Sequence, residues 1–168
     1  FGQTDMPLSI DELKQKGLFQ FPATLVAFTP IINIPGVNSG QLRLDGKTLG
    51  DIFMGKITKW NDPAIVAMNR EIKLPNEAIK VAYRKLGASG TYVLSSYIAR
   101  HNPAWKDTVG VGLTVAWRTG HPMETIKGMA KIITDNPSSI GYTEFSHVIK
   151  NGLKYVQVQN RDGQFVKP

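Results

Sequence analysis

Residues 78–100 read AIKVAYRKLGASGTYVLSSYIAR, and this stretch decides the fold class. The apolar, partly β-branched run 78–83 predicts a strand. Small residues at 87–90 predict a loop, and apolar residues at helical spacing over 91–100 predict an amphipathic helix. A strand followed directly by a loop and a helix is the unit from which α/β folds are built.

The rest of the chain continues this alternation of helices and strands. Ser-Ile-Asp-Glu at 9–12 fits a capping box that begins a helix, and Asp-Pro at 62–63 predicts a second helix start. The runs 139–142 and 155–158 predict further strands. The whole pattern predicts an α/β fold whose mixed, mainly parallel sheet is flanked by helices.

Length and composition set broad limits on function. The chain has 168 residues, of which 42% are apolar and 20% charged, a mix typical of one globular domain. It contains no cysteine, which excludes thiol nucleophiles, disulfide frameworks and cysteine–zinc sites. No run of 18 apolar residues occurs, so the sequence predicts no membrane-spanning helix.

The net charge of +7 is a weak signal for an anionic partner. Residues 1–84 carry ten basic and eight acidic groups, and residues 85–168 carry ten and five. The positive charges are scattered one at a time, and the single adjacent basic pair is Arg84-Lys85. Nucleic-acid binders usually show a basic stripe with interleaved aromatic residues, so we expect no nucleic-acid partner.

The tripeptide Gly46-Lys47-Thr48 resembles the end of a nucleotide-binding P-loop. That motif requires a glycine five residues before its second glycine, and this position is Gln41. The pattern instead predicts a turn in which Thr48 caps a helix over 49–54.

A second candidate lies where the predicted strand passes into the predicted helix. Arg84 and Lys85 end the strand, and Ser89, Gly90 and Thr91 begin the helix. Unpaired amides and the helix dipole make such a terminus an anion site, to which the hydroxyls and the two cations would contribute. Equally, Ser89 could be an ordinary helix cap, and the residues alone leave both interpretations open.

The remaining candidates are weaker. Asp5, considered by itself, is best interpreted as a solvated acid in a turn. The histidines at 101, 121 and 147 lack the spacing of metal ligands, and no nucleophile elbow or zinc-protease motif is present. The sequence therefore predicts no metal, no cofactor and no catalytic activity.

Residues 44–65, which read LDGKTLGDIFMGKITKWNDPAI, carry a resemblance to a known family. Shorter matches occur at 17–22, 33–36, 89–91 and 140–142. Together they resemble the periplasmic phosphate-binding proteins of the bacterial high-affinity phosphate ABC transporter. The resemblance implies a type II periplasmic-binding-protein fold, a periplasmic or secreted location, and inorganic phosphate and the transporter's membrane subunits as partners.

The resemblance also assigns roles to particular residues. In that family a Ser-Gly-Thr loop donates hydrogen bonds to phosphate oxygens, a role that falls here to Ser89, Gly90 and Thr91. The family's aspartate, which Asp5 matches, accepts a hydrogen bond from a protonated phosphate. A carboxylate repels an anion that brings no proton, so hydrogen phosphate is accepted and sulfate refused.

Two positions depart from the family pattern. The family arginine lies four residues before the serine, where this chain has Lys85, and an aspartate that orients that arginine is replaced by Gly87. Lysine is a point charge and cannot hold two phosphate oxygens as a planar guanidinium does. Arg84 is next to it, but strand alternation points Arg84 to the other face, so we expect weakened binding.

The resemblance covers essentially the whole chain, yet the family has two lobes that close on the anion. We therefore expect residues 1–168 to be one α/β lobe, the second, with short crossover segments at both ends. A second chain or the missing lobe would complete the site. The alternative functions are an assembly module that has lost transport and, less favoured, a phosphatase with Asp5 as nucleophile.

Overall fold

The computed structural model describes residues 2, 4 and 6–168, so Asp5 lies outside the described residues. The helices, in chain order, are α1 (Ile10–Gln15), α2 (Gly46–Phe53), α3 (Pro63–Met68), α4 (Ser89–His101), α5 (Pro103–Thr108), α6 (Ile126–Asp135) and α7 (Phe145–Asn151). The strands are β1 (Phe28–Asn33), β2 (Arg43–Leu44), β3 (Lys80–Arg84), β4 (His121–Met123), β5 (Ser139–Glu144), β6 (Lys154–Tyr155), β7 (Gln157–Gln159) and β8 (Phe165–Val166).

The larger sheet has the strand order β4-β3-β5-β1-β6. Strand β3 is parallel to both of its neighbours, whereas β1 is antiparallel to β5 and to β6. A smaller sheet of order β2-β7-β8 contains one parallel and one antiparallel pair. The predicted α/β fold with a mixed sheet is confirmed, but parallel pairs do not predominate, because β1 runs against both of its neighbours.

Helices cover both faces of the larger sheet. Neighbouring residues of a strand point to opposite faces, and β5 shows what lies on each side. The Tyr142 ring contacts Phe53 of α2, while a side-chain carbon built at Gly141 would lie 2.5 Å from the Met129 sulfur of α6. Helix α6 therefore packs closely on one face at a glycine, and α2 lies on the other face.

An aromatic cluster centred on Trp117 joins β3, β5, α2 and α5. The Trp117 ring stacks on Tyr83 at a centroid distance of 5.0 Å and on Tyr142 at 6.0 Å. Phe53 and Trp105 meet the same indole at 5.6 Å and 5.8 Å. Aromatic pairs at these separations add to the stability gained from burial, and here they fix the carboxyl ends of β3 and β5 against each other.

The helix starts predicted from sequence have mixed outcomes. The capping box of α1 forms, with Ser9 and Glu12 bonded reciprocally, and Asp62 caps α3 directly before its proline. The prediction that Thr48 caps a helix is wrong. Helix α2 begins earlier, because the Asp45 carboxylate accepts the Thr48 amide at 2.7 Å and satisfies the helix terminus.

The segment before β1 has little packed against it. Helix α1 has no buried residue, and Phe19 and Leu25 are 88% and 97% exposed. Other large apolar side chains of this segment are also exposed: Ile10, Leu18, Phe21 and Val26. No helix in the described part of the chain is long and apolar enough to cross a membrane.

Candidate functional site

A small cleft of about 30 Å³ opens where β3 and β5 end and α4 begins. The strands end side by side because they are parallel neighbours, so the loop that follows β3 lies at the same sheet edge as the end of β5. The residues that line the cleft are Phe28, Arg84, Ala88, Ser89, Gly90, Ile126, Met129, Tyr142, Thr143 and Glu144.

The amino terminus of α4 forms one wall of this cleft and has no side-chain cap. Ala88 is the N-cap in extended conformation, and none of the described side chains accepts a hydrogen bond from the first turn. Ser89 is the first helical residue. The alternative interpretation of the sequence, in which Ser89 is the helix cap, is therefore wrong. Within residues 2, 4 and 6–168, the amides of Ser89 and Gly90 have no acceptor.

This terminus suits an anion. Helix α4 has 13 residues, and its aligned peptide dipoles place a partial positive charge at the end facing the cleft. Gly90 packs tightly against β1, since a side-chain carbon there would lie 3.0 Å from the Phe28 ring. Two free amides and the Ser89 hydroxyl can therefore donate to an oxyanion seated in the cleft.

Thr91 and Tyr142 are joined beneath the cleft. The Thr91 Oγ1 lies 2.7 Å from the Tyr142 hydroxyl, which also accepts the backbone N–H of Arg84 at 3.0 Å. Thr91 is 0% exposed and Tyr142 is 3% exposed. Burial is the main cause that raises the pKa of Tyr142, and the hydrogen bonds with Thr91 and the Arg84 backbone partly oppose it.

The structure separates the two adjacent cations. Arg84 lines the cleft, and its Nη2 donates to the Glu124 carbonyl at 2.9 Å while its buried Nε has no partner among the described residues. Lys85 does not line the cleft, and its ammonium lies 3.8 Å from the Glu124 carboxylate. Strand alternation was expected to point Arg84 to the face opposite Lys85, and in the described part of the chain it is Arg84 rather than Lys85 that lines the cleft.

Sequence reasoning missed several residues of the cleft. Thr143 is 3% exposed, and its hydroxyl is buried without a partner in the described part of the chain. Glu144 brings a carboxylate to the rim, and Phe28 covers Gly90 from β1. The predicted strand 139–142 carried no signal for this placement, because only the sheet topology shows that β5 lies beside β3.

The other candidate residues stand as follows. Asp5 lies outside the described residues, so its predicted role stays a prediction. No group of three or more histidine or acidic residues in the described part of the chain could hold a metal ion. The P-loop-like amides at the start of α2 are capped by Asp45, which occupies the place an anion would take.

Comparison with known proteins fits this geometry. A family model described as a PBP superfamily domain matches residues 1–168. The chain belongs to the PBP superfamily. The type II fold expected from the resemblance is thereby confirmed, and so is the resemblance to phosphate-binding members of this superfamily.

The chain is similar over its whole length to the phosphate-binding protein PstS of Pasteurella multocida, with 41% identity and 49% of that protein covered. Among PBP superfamily structures, the high-affinity periplasmic phosphate-binding protein PfluDING with bound phosphate has a TM-score of 0.69 at 17% identity, covering 98% of this chain and 49% of that one. An ABC-type phosphate transport receptor from Vibrio cholerae has a TM-score of 0.56 at 16% identity, covering 83% and 48%. The chain spans about half the length of the relatives it matches.

Proposed function

We propose that this chain binds inorganic phosphate, as hydrogen phosphate, for an ABC importer. The observation that carries the proposal is the uncapped amino terminus of α4 in an arginine-lined cleft. The names of the similar Pasteurella protein and of the Vibrio receptor support it. The assembly module is not favoured, because the relatives are phosphate-binding proteins.

The ligand is held by a combination of amides, hydroxyls and charge. The amides of Ser89 and Gly90 and the Ser89 hydroxyl donate to phosphate oxygens along the α4 axis. The Arg84 guanidinium supplies two parallel charge-assisted hydrogen bonds, which the single ammonium of a lysine cannot make. Thr91 is buried against Tyr142 and does not line the cleft, so it contributes by holding the start of α4 in place. Lys85 contributes only a long-range field, since its ammonium is paired with Glu124.

Carboxylates beside the anion favour a ligand that carries a proton. Asp5 keeps the role that the resemblance assigns to it, and the Glu144 carboxylate at the cleft rim can act in the same sense. Hydrogen phosphate can donate its proton to such an oxygen. Sulfate has none at neutral pH and would leave the carboxylate facing an uncompensated anion, so it is discriminated against.

We place the chain in the periplasm or outside the cell, with the membrane subunits of the importer as its partners. The binding step needs no metal and no cofactor, and we propose no catalytic activity. The relatives' names support binding rather than catalysis.

A second lobe, from the rest of a longer protein or another chain, would close the site. Three features support this. The chain spans about half the length of its relatives, the cleft is open, and apolar side chains between Ile10 and Val26 are exposed. An exposed apolar run of this kind is typical of surface that packs against a partner. Closure would supply the remaining donors and exclude water from the anion.

The chain by itself is expected to bind phosphate weakly, because in this proposal a second lobe supplies the remaining donors and excludes water. We expect calorimetric or NMR titration of the 168-residue chain to give a Kd no tighter than on the order of micromolar. Sulfate should bind more weakly than phosphate. A sub-micromolar Kd would contradict the half-site, and the absence of any saturable phosphate response would contradict the proposed function.

The Ser89 hydroxyl is expected to contribute to phosphate binding and little to folding. It caps nothing, so Ser89→Ala should change the free energy of unfolding by less than about 0.5 kcal/mol. It should raise the phosphate Kd about tenfold, the value of one hydrogen bond to a charged group. Ser96→Ala, on the same helix but away from the cleft, is the matched control. Equal Kd values for the two variants would argue against the site.

A further inference from the structure

The hydroxyl of Tyr142 joins three elements beneath the cleft. It comes from β5, accepts the backbone N–H of Arg84 at the end of β3, and lies 2.7 Å from Thr91 at the start of α4. Both Thr91 and Tyr142 are buried, and hydrogen bonds shielded from water are strong. The Tyr142 ring lies next to Gly90, where a side-chain carbon would be 3.4 Å from it.

The direction of the Thr91–Tyr142 hydrogen bond follows from the chemistry of the two hydroxyls. One lone pair of the Tyr142 oxygen already accepts the Arg84 N–H. A phenol is a stronger acid than an aliphatic alcohol and is therefore the better donor in such a pair. When Tyr142 donates to Thr91, the Thr91 proton remains free for another acceptor. Because burial raises the pKa of Tyr142, the phenol keeps its proton at neutral pH.

We propose that Tyr142 is a positioning residue for phosphate binding. It bridges the Arg84 end of β3 to the start of α4, and so holds Arg84 at a fixed distance from the Ser89 and Gly90 amides. This inference rests on the proposed phosphate-binding function. The bridge fixes the distance between Arg84 on β3 and the free amides at the start of α4. Because this spacing is set before phosphate arrives, binding does not have to order the two elements relative to each other.

The test compares four forms of the 168-residue chain by NMR titration with inorganic phosphate. Tyr142→Phe keeps the ring stacked on Trp117 and removes only the bridge, and we expect its Kd to rise about tenfold. We expect Thr91→Val to cost about tenfold as well. Two independent tenfold effects would raise the phosphate Kd of the double variant about 100-fold. We expect a much smaller rise, because each change breaks the same hydrogen bond.

Tyr97→Phe is the matched control. Its hydroxyl is also partly buried and donates to the Gln159 carbonyl at 2.8 Å, on the same helix as Thr91 but remote from the cleft. We expect its phosphate Kd to stay within about twofold of wild type, since the cleft residues are untouched.

The outcomes separate the two proposals. If wild type binds phosphate and Tyr142→Phe binds equally well, or if the two single effects multiply, Tyr142 has no positioning role. If wild type shows no saturable response, the proposed function and this inference both fail. Should Tyr142→Phe not fold, the bridge is tested instead by the NMR chemical shift of the Arg84 backbone amide in two Thr91 variants. This resonance should shift in Thr91→Val, which lacks the hydroxyl, and stay in place in Thr91→Ser, which keeps it. If the resonance behaves alike in both variants, the proposed bridge is wrong.

Discussion

Arg84→Ala is expected to weaken phosphate binding about 100-fold, the largest functional effect of any single change in the cleft. Arg84 is the cation that lines the cleft, and loss of its charge-assisted hydrogen bonds corresponds to about 3 kcal/mol. The measurement is the phosphate Kd of the 168-residue chain by NMR titration. Arg84→Lys should recover only part of the affinity, because an ammonium cannot present two parallel donors.

Two further variants make this prediction specific to Arg84. Lys85→Ala should weaken binding no more than about threefold, because the Lys85 ammonium is exposed and paired with Glu124. Arg118→Ala removes the same charge from an arginine whose guanidinium bonds the Thr108 carbonyl, and it controls for net charge. A larger effect for Lys85→Ala than for Arg84→Ala would show that Lys85, the residue at the family's arginine position, is the main cation of the site, and it would contradict this prediction.

Trp60→Ala is expected to lower the free energy of unfolding by about 3–5 kcal/mol, the largest effect on stability. The Trp60 side chain is fully buried, and its indole N–H donates to the Ser138 carbonyl at 3.0 Å. Ser138 immediately precedes β5 and adopts a left-handed conformation with φ of 66°. Removal of the indole leaves a cavity and deprives that turn of a partner.

Urea unfolding followed by circular dichroism measures this loss. Trp60→Phe keeps most of the apolar volume but removes the indole N–H, so it should cost less than Trp60→Ala. Phe19→Ala removes an aromatic ring that is 88% exposed and should change the unfolding free energy by less than about 0.5 kcal/mol. A loss below about 1 kcal/mol for Trp60→Ala would show that the indole is not part of the core.

Part of the candidate site could be predicted from the sequence. A strand, a small-residue loop and an amphipathic helix in succession place Ser89, Gly90 and Thr91 at a helix terminus, because each of these signals is local. The contribution of Tyr142 could not be predicted in this way. It lies 51 residues from Thr91 along the chain and meets it only because β5 is the parallel neighbour of β3.

The α/β class, the resemblance to phosphate-binding proteins and the position of the Ser89–Thr91 loop at a helix start could all be read from the sequence, because periodicity, caps and motifs depend on neighbouring residues. The tertiary structure decided which of two adjacent cations faces the cleft, since alternation shows only that Arg84 and Lys85 point apart. It also decided that Ser89 is the first residue of α4 rather than its cap. Both depend on how β3 and α4 pack against distant parts of the chain.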